Sequence, residues 1–168
     1  MGEQRERRLI SEWRMTRYPL ETHILGSPLG SVQQELVASI GMTKAIKMSR
    51  PWRLEADCVV ATKDKLVVAE AKIFRPRDGV GDLLVYKPLI PKTPELQPYR
   101  DLPVELVLVI PWVNEVVREM CAEHKITVDL FAPPWVSDFI EEHSKYWTAE
   151  YQAARAEKMR VRQALGVE

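Results

Sequence analysis

Four residues within one short stretch, Glu55, Asp57, Glu70 and Lys72, are spaced so that they could do chemistry together. Residues 54–61 and 66–73 are rich in Val, Ala and Ile, and Thr62-Lys63-Asp64-Lys65 between them is a polar reversal. In an antiparallel hairpin turning at Lys63 and Asp64, paired residues have numbers with one common sum, so Asp57 faces Glu70 and Glu55 faces Lys72. Side chains alternate along a strand, and all four therefore project from one face. Opposed Cβ atoms stand about 4.5–5.5 Å apart, where like charges destabilise the sheet. Two facing carboxylates call for compensation. A hard divalent cation, Mg²⁺ or Mn²⁺, supplies it, taking one or two carboxylate oxygens and keeping waters for a phosphate substrate. Lys72, two residues beyond Glu70, is spaced to orient a water or steady a phosphate oxygen. That is the chemistry of phosphodiester hydrolysis. The competing reading makes Glu70 and Lys72 a surface ion pair on a half-solvated sheet.

Asp57, followed after twelve residues by Glu70-Ala71-Lys72, resembles the PD-(D/E)XK nuclease superfamily. The resemblance implies that the acid on one strand and the Glu-x-Lys on the next hold the metal, with DNA as substrate. Exonuclease-like branches of the superfamily carry Gln-x-x-x-Tyr on the helix after the second strand. Here that stretch is Asp82-Leu83-Leu84-Val85-Tyr86, with Asp in place of Gln, and Ala56 rather than Pro precedes Asp57. On this resemblance Asp57, Glu70, Lys72 and Tyr86 are catalytic, and Asp57 and Glu70 are metal ligands. A glutamate from a preceding helix often joins the metal in this superfamily, and Glu35 is the position matched to it.

The supporting elements follow from periodicity and punctuation. Residues 3–18 read as an amphipathic helix with Leu9, Ile10 and Trp13 inward; its arginines are matched by nearby glutamates. Residues 18–30, with two prolines and two glycines, read as loop. A second helix opens at Ser31, with Gln34 as its capping-box partner, and ends at Gly41. Residues 42–53 contain Lys44, Lys47, Arg50 and Arg53 without an acid. The spacing of Ala45, Ile46 and Met48 permits a strand there, giving a positive edge for a phosphate path. Arg75 and Arg77 precede the Asp82 helix and extend the nucleic-acid-binding set. Pro88 stops that helix, and residues 91–103 are an irregular connection. Residues 104–110 read as a central strand, then come a helix over 114–124 and a strand over 126–131. This β-α-β unit implies parallel pairing and a right-handed crossover.

The fold class expected is α/β, a mixed sheet flanked by helices in the manner of a restriction-endonuclease core. Residues 1–30 precede the core, 31–132 form it, and 133–168 are an α-helical extension of a single domain. Trp135, Phe139, Ile140, Tyr146, Trp147 and Tyr151 give the extension an aromatic face suited to docking or to a homo-oligomer, and an exposed helix or oligomerisation arm follows Gln152.

Composition narrows the classes further. The 168 residues suit one domain, and 24 basic and 24 acidic residues balance, so any nucleic-acid surface is local. Cys58 and Cys121 are far apart and in apolar settings, as free buried thiols in a reducing compartment are, and they are too few for an iron–sulfur cluster. The charged amino-terminal stretch and the absence of a long apolar run point to the cytoplasm, of the host if the chain is phage-encoded, or to a virion. His23, His124 and His143 form no metalloprotease pair, and no hydrolase elbow or P-loop is present. Two functions stand side by side: a Mg²⁺-dependent deoxyribonuclease, and a non-catalytic descendant of the same fold serving as a binding or assembly module, for example a phage structural or accessory protein.

Overall fold

The computed structural model describes residues 2–145 and 148–164; Tyr146 and Trp147, two of the aromatic residues singled out above, lie outside them. The chain is α/β. Residues 1–131 form one compact unit and residues 132–168 a second. The first contains α1 (Gly2–Arg17), β1 (Thr22–Leu29), α2 (Gln34–Ile40), α3 (Met42–Ser49), β2 (Leu54–Ala61), β3 (Leu66–Ala71), α4 (Pro76–Tyr86), β4 (Val104–Ile110), α5 (Glu115–His124) and β5 (Ile126–Leu130). The second contains α6 (Pro134–Lys145) and α7 (Ala149–Ala164).

The five strands form one sheet in sequence order. The pairs β1–β2 and β2–β3 are antiparallel, and β3–β4 and β4–β5 are parallel. The meander comes first because its reversals are short. In the β2–β3 turn the Thr62 hydroxyl accepts the amides of Asp64 (3.2 Å) and Lys65 (3.0 Å), and the Thr62 amide donates to the Lys65 carbonyl. Parallel pairing begins only where helices can cross the sheet. The crossover helix α5 starts at Asn114, whose side chain accepts the Val117 amide at 2.9 Å, an N-cap interaction.

One face of the sheet packs Val59, Leu66, Val68, Leu106, Leu108 and Ile110 against α4 and α5 through Val80, Leu83, Val117 and Cys121. Helix α1 packs on β2 and β3. Its Leu9, Ile10 and Trp13 are fully or almost fully buried, at the i, i+1 and i+4 spacing that marks the inward stripe. The Trp13 indole N–H donates to Asp129 at 2.9 Å, and Arg17 donates to both oxygens of the same carboxylate. Both cysteines are free and buried, and burial pushes the Cys58 thiol up to about 12, which keeps it protonated at neutral pH.

Four stretches differ from expectation. Residues 22–29 form a strand, not a loop. Proline and glycine are tolerated because β1 lies at the edge of the sheet and breaks its pairing at Gly26, whose φ is +59°. Residues 42–49 form a helix, not a strand: Ala45 and Ser49, one turn apart, are its buried positions, and an Ala-Ile-x-Met sequence fits a 3.6-residue period as readily as a period of two. The helix bearing Asp82 starts already at Pro76, so that Arg77 lies within it, because proline at the first helical position loses no N–H bond. Beyond α4, residues 91–103 fold into two 3₁₀ turns rather than wandering. Buried Thr93 anchors them, its hydroxyl donating to the Leu89 carbonyl and accepting the Gly30 amide.

Arg53 belongs to this scaffold. Its side chain is 5% exposed, forms a two-pronged pair with Glu95 (2.6 and 2.8 Å), and donates to the carbonyls of Pro28 and Gly30. It ties the end of β1 to the α4–β4 connection, and is therefore not presented to a phosphate backbone. Arg53→Ala would leave a carboxylate and two carbonyls without their donor, and should cost about 3 kcal/mol of unfolding free energy in urea titration.

Candidate active site

The hairpin register is the one the arithmetic predicts: Cys58 lies opposite Ala69, Val59 opposite Val68, Val60 opposite Val67 and Ala61 opposite Leu66. Continued one step, it sets Asp57 against Glu70, but the ladder stops at Cys58. Instead of exchanging backbone bonds, the two acids fill the parting strands. The Ala71 amide donates to Asp57 Oδ2 at 2.9 Å, and the Asp57 amide makes a long contact of 3.4 Å with Glu70 Oε2. On the other side of β2 the pairing also skips this position, passing from Leu25–Cys58 to Ser27–Ala56. Asp57 thus sits at a break in the pairing of β2 with both neighbours.

Glu70 is 3% exposed. Its Oε1 accepts the Lys72 ammonium at 2.7 Å, and its Oε2 accepts the Tyr86 hydroxyl at 3.3 Å. The same hydroxyl proton is shared with the Glu55 carbonyl, 3.0 Å away. Lys72 makes a second ion pair, 3.0 Å to Asp82. Asp82 and Tyr86 are one helical turn apart on α4, so one helix face supplies both the partner of the lysine and the partner of the glutamate. The Glu55 side chain does not meet Lys72; it turns to Arg50, 3.5 Å away. Gly79 makes this docking of α4 possible: a Cβ there would lie 2.6 Å from Leu108 Cδ1 and 2.9 Å from Lys72 Cγ.

The protonation behaviour follows from burial and crowding. Burial, then the charge of Asp57, pushes the Glu70 carboxyl up to about 7, against the pull of Lys72. Burial also raises Asp57, opposed by the Ala71 amide and Lys72. For Lys72, burial acts downward, but the hydrogen bonds and charges of Glu70 and Asp82 outweigh it and hold the ammonium above the usual lysine range. Tyr86 is pushed up by burial and by the surrounding carboxylates, and stays a hydrogen-bond donor.

The structure brings together Asp57, Glu70, Lys72, Tyr86 and Asp82. Arg50 borders a cavity of about 420 Å³ with Arg7, Leu25, Gly26, Glu55 and Asp57, and donates to the Gly26 carbonyl at 2.8 Å. Arg75 and Arg77 are exposed at the start of α4. Lys44 and Lys47 are exposed on α3, and no hydrogen bond or ion pair among the described residues joins them to the carboxylates. Glu35 is exposed on α2, whose main neighbour is α3, and it is not among the charges acting on Asp57 or Glu70. The helix glutamate found beside the acids is Glu6 of α1: its carboxylate accepts the Ile73 amide at 3.1 Å and its charge raises Asp57. The sequence carried a signal for it, since Glu6, Leu9, Ile10 and Trp13 share one helical stripe at i, i+3, i+4 and i+7.

Among the described residues, no group of three or more Asp, Glu, His or Cys side chains is gathered tightly enough to form a metal cluster. The donor set offered is a pair of carboxylates from adjacent strands, which suits an ion that completes its shell with water. No family model and no curated protein matches this chain.

Two outcomes test this geometry. Because folding raises the Glu70 value, the stability it contributes to the metal-free protein is full below the unfolded value and is lost as pH rises toward about 7. Denaturant midpoints should therefore fall between about pH 4.5 and 7, and Glu70→Gln should flatten that slope. Gly79→Ala should cost about 1–3 kcal/mol by wedging α4 off β3 and β4; its denaturation midpoint measures this.

Proposed function

We propose that the chain is a Mg²⁺-dependent deoxyribonuclease of PD-(D/E)XK type. The observation that carries the reading is the meeting, at one end of the sheet, of Asp57 and Glu70 from adjacent strands with Lys72, held by Tyr86 and Asp82. Two like charges drawn into a partly buried corner are an expensive arrangement, and their natural counterion is a divalent cation. The order of elements, an acid on β2, Glu-x-Lys at the end of β3 and then a helix, supports the same superfamily.

Asp57 and Glu70 would hold Mg²⁺ or Mn²⁺, with Glu6 beside them. A cation bound there supplies Lewis-acid stabilisation for a phosphoryl oxygen. The chain's own groups do the rest. Lys72, pinned between Glu70 and Asp82, presents a fixed positive charge to a water or a non-bridging phosphate oxygen. Asp82, in the place of the usual glutamine, keeps that ammonium from swinging wholly onto Glu70. Tyr86 fixes the rotamer of Glu70 through its second oxygen. Arg50 borders the cavity beside Asp57 and offers a cation to a flanking phosphate. No helix among the described residues is long and apolar enough to cross a membrane, and the reading places the chain in the cytoplasm or, if phage-encoded, in a virion.

One observation favours the second reading, a non-catalytic module of the same fold. Glu70 is almost wholly buried and both its oxygens already have donors, so the site is satisfied as an internal ion pair. In that reading α7, which exposes Met159 and Val161, serves assembly or self-association.

Incubation of linear, nicked and single-stranded DNA with Mg²⁺ or Mn²⁺ separates the two. The nuclease should cut, and Lys72→Ala and Asp57→Ala should each lower the rate by about 100-fold or more. Cleavage that survives both substitutions, or wild-type protein that neither cuts nor binds a divalent ion, removes the enzymatic reading. Because Glu70 must give up its proton, ion affinity should rise from pH 6 to pH 8 with proton release, read by calorimetry in two buffers of different ionisation enthalpy.

A further inference from the structure

We propose that the cavity between the β3–α4 and β4–α5 turns takes an unstacked base of single-stranded DNA, beside the bond the carboxylates cleave. The position relative to cleavage rests on the function proposed above; the binding does not. The cavity, about 550 Å³, is bordered by Phe74, Arg75, Arg77, Asp78, Trp112 and Asn114. Phe74 follows β3 and Trp112 follows β4, so it opens at the carboxyl ends of two parallel strands. Ligands of open α/β sheets sit at that edge, and the volume lies in the range of small-ligand pockets. Phe74 is two residues beyond Lys72, which puts their Cα atoms within about 7 Å of each other.

The lining has the chemistry that single strands require. Trp112 remains 39% exposed although its indole N–H donates to the Ile73 carbonyl at 3.0 Å. An anchored ring with open surface is a rigid platform, and Phe74 borders the same space. Aromatic stacking holds any base, but a base reaches such a ring only after leaving the duplex stack. Arg75 and Arg77 are exposed, and no ion pair or side-chain hydrogen bond engages either among the described residues. They differ in this from Arg17, Arg50 and Arg53, which are tied to carboxylates or carbonyls. Two uncommitted guanidinium groups beside two rings match the phosphate and base of one nucleotide. Asp78, the one acid in the lining, is an acceptor for an exocyclic amine.

The test is fluorescence anisotropy with the full chain in EDTA, which prevents cleavage, at one fixed salt concentration. The probes are labelled oligothymidylate of about 12 nucleotides, the same length of abasic sugar-phosphate, and a blunt duplex. Oligothymidylate should bind at least about fivefold more tightly than either of the others. Trp112→Ala should weaken oligothymidylate binding about tenfold and leave the abasic chain unchanged, whereas Trp112→Phe should retain most of it. Arg75→Ala with Arg77→Ala, on exposed positions that leave the fold intact, should weaken all three and reduce the salt dependence. Equal affinity of the wild type for oligothymidylate and the abasic chain overturns the proposal, and so does a folded Trp112→Ala protein that binds as the wild type does. If the base preference is present but no DNA is cut with Mg²⁺, the subsite stands and the nuclease reading falls. If DNA is cut but no base preference exists, the subsite falls and the nuclease reading stands.

Discussion

A sheet register forces two acids together, and much of the first unit is arranged around that fact. Antiparallel pairing of β2 and β3 runs cleanly from Ala61–Leu66 to Cys58–Ala69, and one step further it must oppose Asp57 to Glu70. At that step the backbones part. Asp57 takes the Ala71 amide, which the ladder would otherwise have engaged, and Glu70 takes an ammonium and a phenol. A buried carboxylate without such donors would be costly enough to protonate or to unfold its surroundings. Lys72 and Tyr86 offset part of that cost and leave the remainder as an elevated Glu70 value, raised first by burial and then by the charge of Asp57.

Helix α4 carries that arrangement. Its close approach to the sheet depends on Gly79, where no side chain fits between the helix and Leu108. Its middle and end present Asp82 to Lys72, just beyond β3, and Tyr86 to Glu70 on β3. Its beginning borders the larger cavity with Arg75 and Arg77. A single element of eleven residues therefore touches both the acid pair and the aromatic cavity.

How much of this could be read from the chain depended on the range of the forces involved. The hairpin and its register were legible because alternation and a polar turn are local, and so the meeting of Asp57, Glu70 and Lys72 was legible too. The mixed sheet followed from the succession of apolar runs. What escaped was set by tertiary context. β1 contains Gly26 and Pro28, loop signals in isolation, and is a strand because an edge position tolerates both. α3 has too few apolar residues for its period to be decided locally. Arg53 looked like one more cation in a basic stretch, and only the fold reveals Glu95 waiting 42 residues on. Glu35 matches the superfamily's glutamate on a helix ahead of the hairpin, but it lies exposed on α2. Glu6 stands beside the acids, because α1 packs on β2 and β3.

The fastening of α1 to Asp129 bears on the order in which the molecule assembles. Trp13 and Arg17 find their partner 116 and 112 residues downstream, so α1 gains this anchor only when β5 has been made. The helix that brings Glu6 to the acid pair is thus fastened by contacts of high sequence separation, so the corner is completed only together with the far edge of the sheet.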